Sequence, residues 1–143
     1  MQLIMEYKYG SPEYHQACCL RNEVLRVPLG MSLYDEDLSS EADQIHIGVF
    51  EGGICLGTLS LLPLGESVCR IRQVAVAPQY QRKGIGRQMM EYAEKYCMQK
   101  GYGKLMLHAR ADAIPFYLKL DYRIIGEPFL EVTILHCLME KRL

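Results

Sequence analysis

Several features are missing from this sequence, and each omission removes a class of protein. No uncharged apolar stretch reaches the ~20 residues needed to cross a bilayer. The opening residues, Met1 to Lys8, lack a basic start followed by a long apolar run, so no secretory signal is expected and the chain reads as cytoplasmic. Charge of one sign is not in excess: 16 Lys and Arg stand against 17 Asp and Glu, a net charge of −1. No strong overall field directs the chain to nucleic acid or to an anionic membrane. The six cysteines (18, 19, 55, 69, 97, 137) include no C-x-x-C pair, and the four histidines complete no zinc pattern. Most of these cysteines lie in apolar segments, so they are expected as reduced, packed thiols, with no metal. Internal repeats, low-complexity tracts and linker-like Pro/Gly/Ser runs are absent as well.

What is present fits a globular chain. The 143 residues are 50% hydrophobic and 23% charged, enough for one domain over residues 1–143 with one core. The pattern mixes α and β. Residues 2–9 read as a strand. Ser11-Pro12-Glu13 reads as a helix start, with a capping hydroxyl, a proline at the first position and an acid in the first turn. That helix should end near Arg26. Residues 31–43 form an acidic loop. Strands are expected at 44–50 and 54–62, joined at Glu51-Gly52-Gly53 and stopped by Pro63, and then at 69–77. From Gly84 the period becomes helical: Ile85, Met89, Tyr92, Ala93, Tyr96 and Cys97 share one face, with a Glu91–Lys95 pair on the other. Strand 104–108, helix 112–120 and strands at 122–126 and 132–140 follow. The order βα(α)βββαβαββ is an α/β arrangement, α+β in that its first half is mainly antiparallel.

The segment at 74–87, VAVAPQYQRKGIGR, runs strand, short loop, glycine pair, long helix. Unpaired N–H groups and a positive dipole end make such a turn suitable for a phosphate or pyrophosphate. Gly84 and Gly86 let an anion approach the backbone, and Arg82, Lys83 and Arg87 add charge. The segment is neither a P-loop nor a Rossmann fingerprint, since Met89 stands where a third glycine would fall. Read alone, a tight strand–helix turn with solvated cations explains it equally well.

Its context adds weight. Gln81-Arg82-Lys83-Gly84-Ile85-Gly86 resembles the coenzyme-A signature Q/R-x-x-G-x-G/A of the GNAT acetyltransferases. About 30 residues on, AIPFYLKLDY at 113–122 resembles the second signature, A-x-x-F-Y-x-K-x-G-F. The element order matches from end to end, so the resemblance covers essentially the whole chain and looks like the small single-domain bacterial type. It implies the GNAT acyl-CoA N-acyltransferase fold, a central, mixed, mostly antiparallel twisted sheet flanked by helices. It also implies acetyl-CoA as cosubstrate, direct attack by an amine in a ternary complex, and a small-molecule or peptide amine as acceptor. A homodimer would be compatible with the family. A non-catalytic coenzyme-A-binding or sensing module on the same fold is the alternative.

The resemblance carries over residue by residue. It implies that the strand bearing Val74, Ala75 and Val76 diverges from strand 104–108. Pantetheine would fill the gap, and pyrophosphate would lie on the N–H groups of 82–87. The coenzyme-binding set is then Val74, Ala75, Val76, Gln81, Arg82, Lys83, Gly84, Ile85, Gly86, Arg87, Arg110 and Phe116, with Tyr117 as catalytic acid toward the leaving thiolate. A phenol of pKa ~10 can serve a thiol of pKa ~8.5. Two departures stand out. Asp121 replaces the glycine of the second signature, which predicts a differently shaped loop. Arg110 stands where many members have asparagine.

The acceptor amine must lose a proton. A lysine-like amine of pKa ~10.4 is neutral about once in 2,500 molecules at pH 7, an α-amine of pKa ~7.8 about once in seven. Some members place a glutamate before the V-A-V run, but here Arg72 and Gln73 occupy those positions. His46, His108, Glu131, His136 or a water chain are the candidates for base. Arg70 and Arg72, alternating on one strand, are candidates for an acidic acceptor group, or else an exposed face. The acids at 35–43 could attract a cationic amine, or else be solvated.

Overall fold

The computed structural model describes residues 1–143. Its chain order is β1 (Gln2–Tyr7), α1 (Pro12–Leu25), β2 (Ile45–Glu51), β3 (Ile54–Gly65), β4 (Val68–Val76), α2 (Ile85–Gln99), β5 (Lys104–Arg110), α3 (Ile114–Lys119), β6 (Arg123–Glu131) and β7 (Ile134–Arg142). The seven strands form one mixed sheet in the order β1-β2-β3-β4-β5-β7-β6, in which only β4 and β5 pair parallel. All other neighbours are antiparallel. The optional second helix of the sequence reading is replaced by three short 3-10 turns, at Val27–Leu29, Leu33–Asp35 and Ser39–Asp43.

Local chemistry sets the elements. The Ser11 side chain accepts from the Tyr14 N–H at the start of α1, with Pro12 in the first turn. Gly52 and Gly53, at φ 56° and 77°, make the two-residue β2–β3 turn. Helix α2 buries Ile85, Met89, Met90, Ala93 and Cys97. It crosses β3 at Gly57, where a Cβ would lie 2.9 Å from Ile85 Cγ2. Its exposed ion pair is Arg87–Glu91 (3.1 Å), not the expected Glu91–Lys95, because the Arg87 side chain takes the carboxylate.

Two strands outrun their expected ends. β3 continues through Pro63 to Gly65, and β6 continues through Pro128 to Glu131. In both places the register shifts, between Pro63 and Gly65 and between Ile125 and Phe129. A bulge is where a sheet tolerates a residue with no N–H to donate. Asp121 takes the left-handed conformation, φ 72°, that glycine would favour, and the Tyr122 N–H closes on the Tyr117 carbonyl at 3.1 Å.

Two buried clusters hold the sheet. The larger joins α2 and α3 to Ile47, Val49, Leu59, Leu61, Ile71 and Leu107. The smaller joins α1 to Tyr7, Phe50 and Ala75. All six cysteines are free, and all but Cys19 are buried. No helix is long and apolar enough to cross a membrane.

One irregularity organises the rest. Thr58 pairs with Ala75 and Ser60 with Arg72, so β4 carries one residue more than β3 between them. Gln73 takes φ 56° in that bulge. Residues an even number apart normally share a sheet face. Here Ile71 packs in the α2 cluster and Ala75 in the α1 cluster, because the extra residue switches faces. Pairing of β4 with β5 runs only from Val68↔Lys104 to Ile71↔Leu107 and stops where the bulge begins.

Candidate active site

The gap opened between β4 and β5 holds two adjoining cavities. One, of about 530 Å³, lies over the end of β4 and the start of α2. The other, of about 460 Å³, lies over Arg70 to Val74, His108 to Arg110 and the β6–β7 turn. Leu25, Val74, Arg110, Ala113 and Tyr117 line both.

The first cavity gathers most of the predicted coenzyme set: Val74, Ala75, Val76, Gln81, Arg82, Gly84, Gly86, Arg87, Arg110 and Phe116. Gly84 begins α2 in the left-handed conformation, φ 86°, with no side-chain cap, and no acid stands in the first turn. The first N–H groups of a 15-residue helix are therefore unpaired at its positive end. Arg82 is also left-handed, φ 63°. Gln81 Nε2 donates to the Val76 carbonyl at 3.1 Å and ties the loop to the strand. A Cβ on Gly86 would lie 3.1 Å from Phe116 Cζ, so the missing side chain lets α3 approach α2.

Two members of the set are placed elsewhere. Lys83 sits 5.5 Å over the Tyr80 ring and does not line the cavity. Ile85 is core. Ala75 contributes along its backbone, its side chain being 2% exposed in the smaller cluster. Arg87 is shared with Glu91, and Arg110 Nη2 donates to the Leu25 carbonyl at 2.9 Å.

Tyr117 is buried where the cavities meet, its ring edge-on to Phe116 and Tyr122. Burial alone raises its phenol well above the ordinary tyrosine value.

The second cavity brings together three of the four candidate bases. His108 Nδ1 lies 2.8 Å from Glu131 Oε2 and 3.0 Å from Arg70 Nη2. One ring nitrogen cannot donate to the carboxylate and accept from the guanidinium together. The shorter, charge-assisted contact to Glu131 prevails, which places the proton on Nδ1 and leaves the lone pair on Nε2. Burial raises the Glu131 carboxyl, but the His108 hydrogen bond together with the electrostatic influence of His108, His136 and Arg70 outweighs it, and the net shift is downward. His136 Nδ1 donates to the Ile134 carbonyl at 2.8 Å.

His46 is remote from this cavity. It is 1% exposed, with Nδ1 on Ser60 Oγ (3.0 Å) and Nε2 on the Glu41 carbonyl (2.8 Å). Both nitrogens are engaged, and burial lowers its pKa. The acidic loop is not a uniformly solvated anionic wall. Glu41 is 3% exposed and forms two hydrogen bonds with Arg21, at 2.6 and 2.8 Å. Glu36 reaches the second cavity but pairs with Arg26 at 2.6 Å.

Sequence reasoning missed Leu25 and Arg26, which reach the site from the end of α1, and the side chain of Gln73. Nothing in the spacing marks them, since the chain turn after α1 and the bulge bring them in.

The Acetyltransferase (GNAT) family profile matches residues 12–122. The uncharacterized N-acetyltransferase YjcF of Bacillus subtilis is 28% identical over 107 residues, 74% of each chain. A candidate N-acetyltransferase from Lactobacillus plantarum shares the fold at TM-score 0.88 and 24% identity, over 99% of this chain and 98% of that one. A GNAT acetyltransferase from Elizabethkingia anophelis, solved with acetyl-CoA bound, shares it at TM-score 0.73 and 21% identity, over 99% and 98%. With the family's sequence pattern spanning most of the chain and its fold spanning nearly all of it, the chain belongs to the GNAT family of acetyltransferases.

Proposed function

We propose that this chain transfers an acetyl group from acetyl-CoA to a primary amine by direct attack in a ternary complex. The observation that carries the proposal is the meeting of two cavities at Tyr117, through the gap that the β4 bulge opens. Acetyl-CoA supplies the thioester, an acyl group on a competent leaving sulfur. The residues present fit it: an uncapped helix start, a glycine whose Cβ would press on Phe116, and Arg82 and Arg87 beside them.

The chain's own groups then divide the work. N–H groups from Arg82 to Arg87 hold the pyrophosphate, and the exposed edge of β4 from Val74 to Val76 holds the pantetheine. Tyr117 carries its proton at neutral pH like any tyrosine, and burial raises its pKa further and makes it a weaker acid. Complete proton transfer to the leaving thiolate, whose thiol has a pKa of ~8.5, would run uphill. Its contribution is therefore a hydrogen bond to the sulfur as charge develops there. His108, held by Glu131, is the base for the amine, with Nε2 carrying the lone pair.

The test is thiol release from acetyl-CoA with a broad amine panel. Turnover above background supports the reading. Tight binding of the coenzyme without turnover would instead favour a non-catalytic binding module. Tyr117→Phe is expected to lower kcat by about 10²-fold or more while the KM for acetyl-CoA stays within a few-fold.

A further inference from the structure

The second cavity carries charge that the chain does not neutralise. Four arginines and two glutamates line it. Arg26 is matched by Glu36, while Glu131 accepts a hydrogen bond from the neutral His108, so the arginines still outnumber the carboxylates. Arg72 donates only to the neutral Gln44 amide (3.1 Å) and Arg110 only to the Leu25 carbonyl. Arg70 is worse placed still. Its Nε is buried without a partner, and its Nη2 faces a His108 nitrogen that already carries a proton for Glu131. Burial and the neighbouring Arg72 disfavour its charge and outweigh the favourable influence of Glu131, whose hydrogen bond goes to His108.

Unsatisfied groups point to the missing one. Nε and Nη2 form one edge of the guanidinium, the fork that matches the two oxygens of a planar carboxylate. The Gln73 carbonyl oxygen, lining the same cavity, is also buried without a partner. A buried donor, the Nε of that fork, and a buried acceptor, the Gln73 side-chain oxygen, each costly to leave unmade, call for a ligand with an anionic end and an N–H end. The cavity, about 460 Å³, is of small-molecule size.

We infer that the acceptor is a primary amine that also carries a carboxylate, an amino acid or its near relative, gripped by Arg70 with Arg72 beside it. Arg70 takes the carboxylate on its Nε–Nη2 edge, Gln73 accepts from the amine, and His108 removes the proton. This rests on the transferase reading above, and its test separates the two.

Thiol release from acetyl-CoA is measured with the L-amino acids, their methyl esters, their decarboxylated amines and phosphoethanolamine. One or more free carboxylates should exceed the matched ester and amine in kcat/KM by about 30-fold or more. Arg70→Ala should erase that preference by raising KM, and Arg70→Lys should recover part of it. Calorimetry with the same ligands, in the presence of coenzyme A, reads binding without chemistry. Esters or bare amines reacting as well as the acids would overturn the inference and leave the transferase reading intact. So would a preference for phosphoethanolamine, or an Arg70→Ala loss shared equally by all amines. Carboxylate binding that requires Arg70, without turnover of any amine, would support the site and overturn the transferase. Neither turnover nor binding of any carboxylate would overturn the inference.

Discussion

Arg21 is buried and Arg70 half-buried, and each leaves a covered Nε without a partner, yet their surroundings differ. Arg21 is 1% exposed, with Glu41 taking both of its Nη groups and Tyr14 donating to the same carboxylate at 2.6 Å. The backbone of Glu41 accepts from His46, which in turn meets Ser60. That network fastens α1, the turn at 39–43 and the sheet to one another. Arg70 has a like charge beside it, and the Glu131 carboxylate near it bonds to His108 instead. A charge given its own counter-ion serves the fold, and one whose nearby carboxylate is engaged elsewhere is left for the ligand proposed above.

The largest test of this contrast is Glu41→Ala. Removing one member of a buried pair strands the other, and a loss of about 3–5 kcal/mol is expected in urea unfolding. By the same measurement Arg70→Ala should change stability by less than about 1 kcal/mol, since no pair is broken. Equal losses in the two variants would erase the distinction.

Acid offers a gentler probe of the same network. Burial would raise the Glu41 carboxyl, but Arg21 and Tyr14 outweigh it and hold it below the ordinary 4.5. Burial holds His46 below 6.5. In each case the unfolded chain binds the proton more readily, so stability falls as pH falls, first below about 6.5 and again below about 4.5. Tm followed from pH 7 to 3 should decline in both windows, and Glu41→Gln should flatten the lower one. A Tm constant from pH 7 to 3 would contradict it.

The smallest effect is expected at Gly86→Ala. Its new methyl would lie 3.1 Å from Phe116, which must yield by a few tenths of an ångström. A cost of about 1 kcal/mol in stability, with a rise of several-fold in the KM for acetyl-CoA, would tie Gly86 to the coenzyme cavity rather than to folding alone.

Much of this was legible in the sequence. Period and turn chemistry mark α1, α2 and the strands to within a few residues, and the paired signatures at 81–86 and 113–122 place the coenzyme cavity. What was hidden depends on register and reach. Pro63 looks like a strand end, and only a bulge absorbs it. Glu41 reads as one acid among five in a loop, yet a turn carries it inside to meet Arg21. His108 and Glu131 are 23 residues apart and meet only because β5 and β6 flank β7.

The bulge at Gln73 gives the site an unusual dependence. Side-chain replacements along β4 would alter what the cavities recognise. Deleting the one surplus residue would instead leave Ile71 and Ala75 on opposite faces while removing the bulge, returning β4 to register with β3 and drawing the sheet shut. The two adjoining cavities are thus encoded in the length of a strand, by one residue, and length is the property that substitution cannot restore.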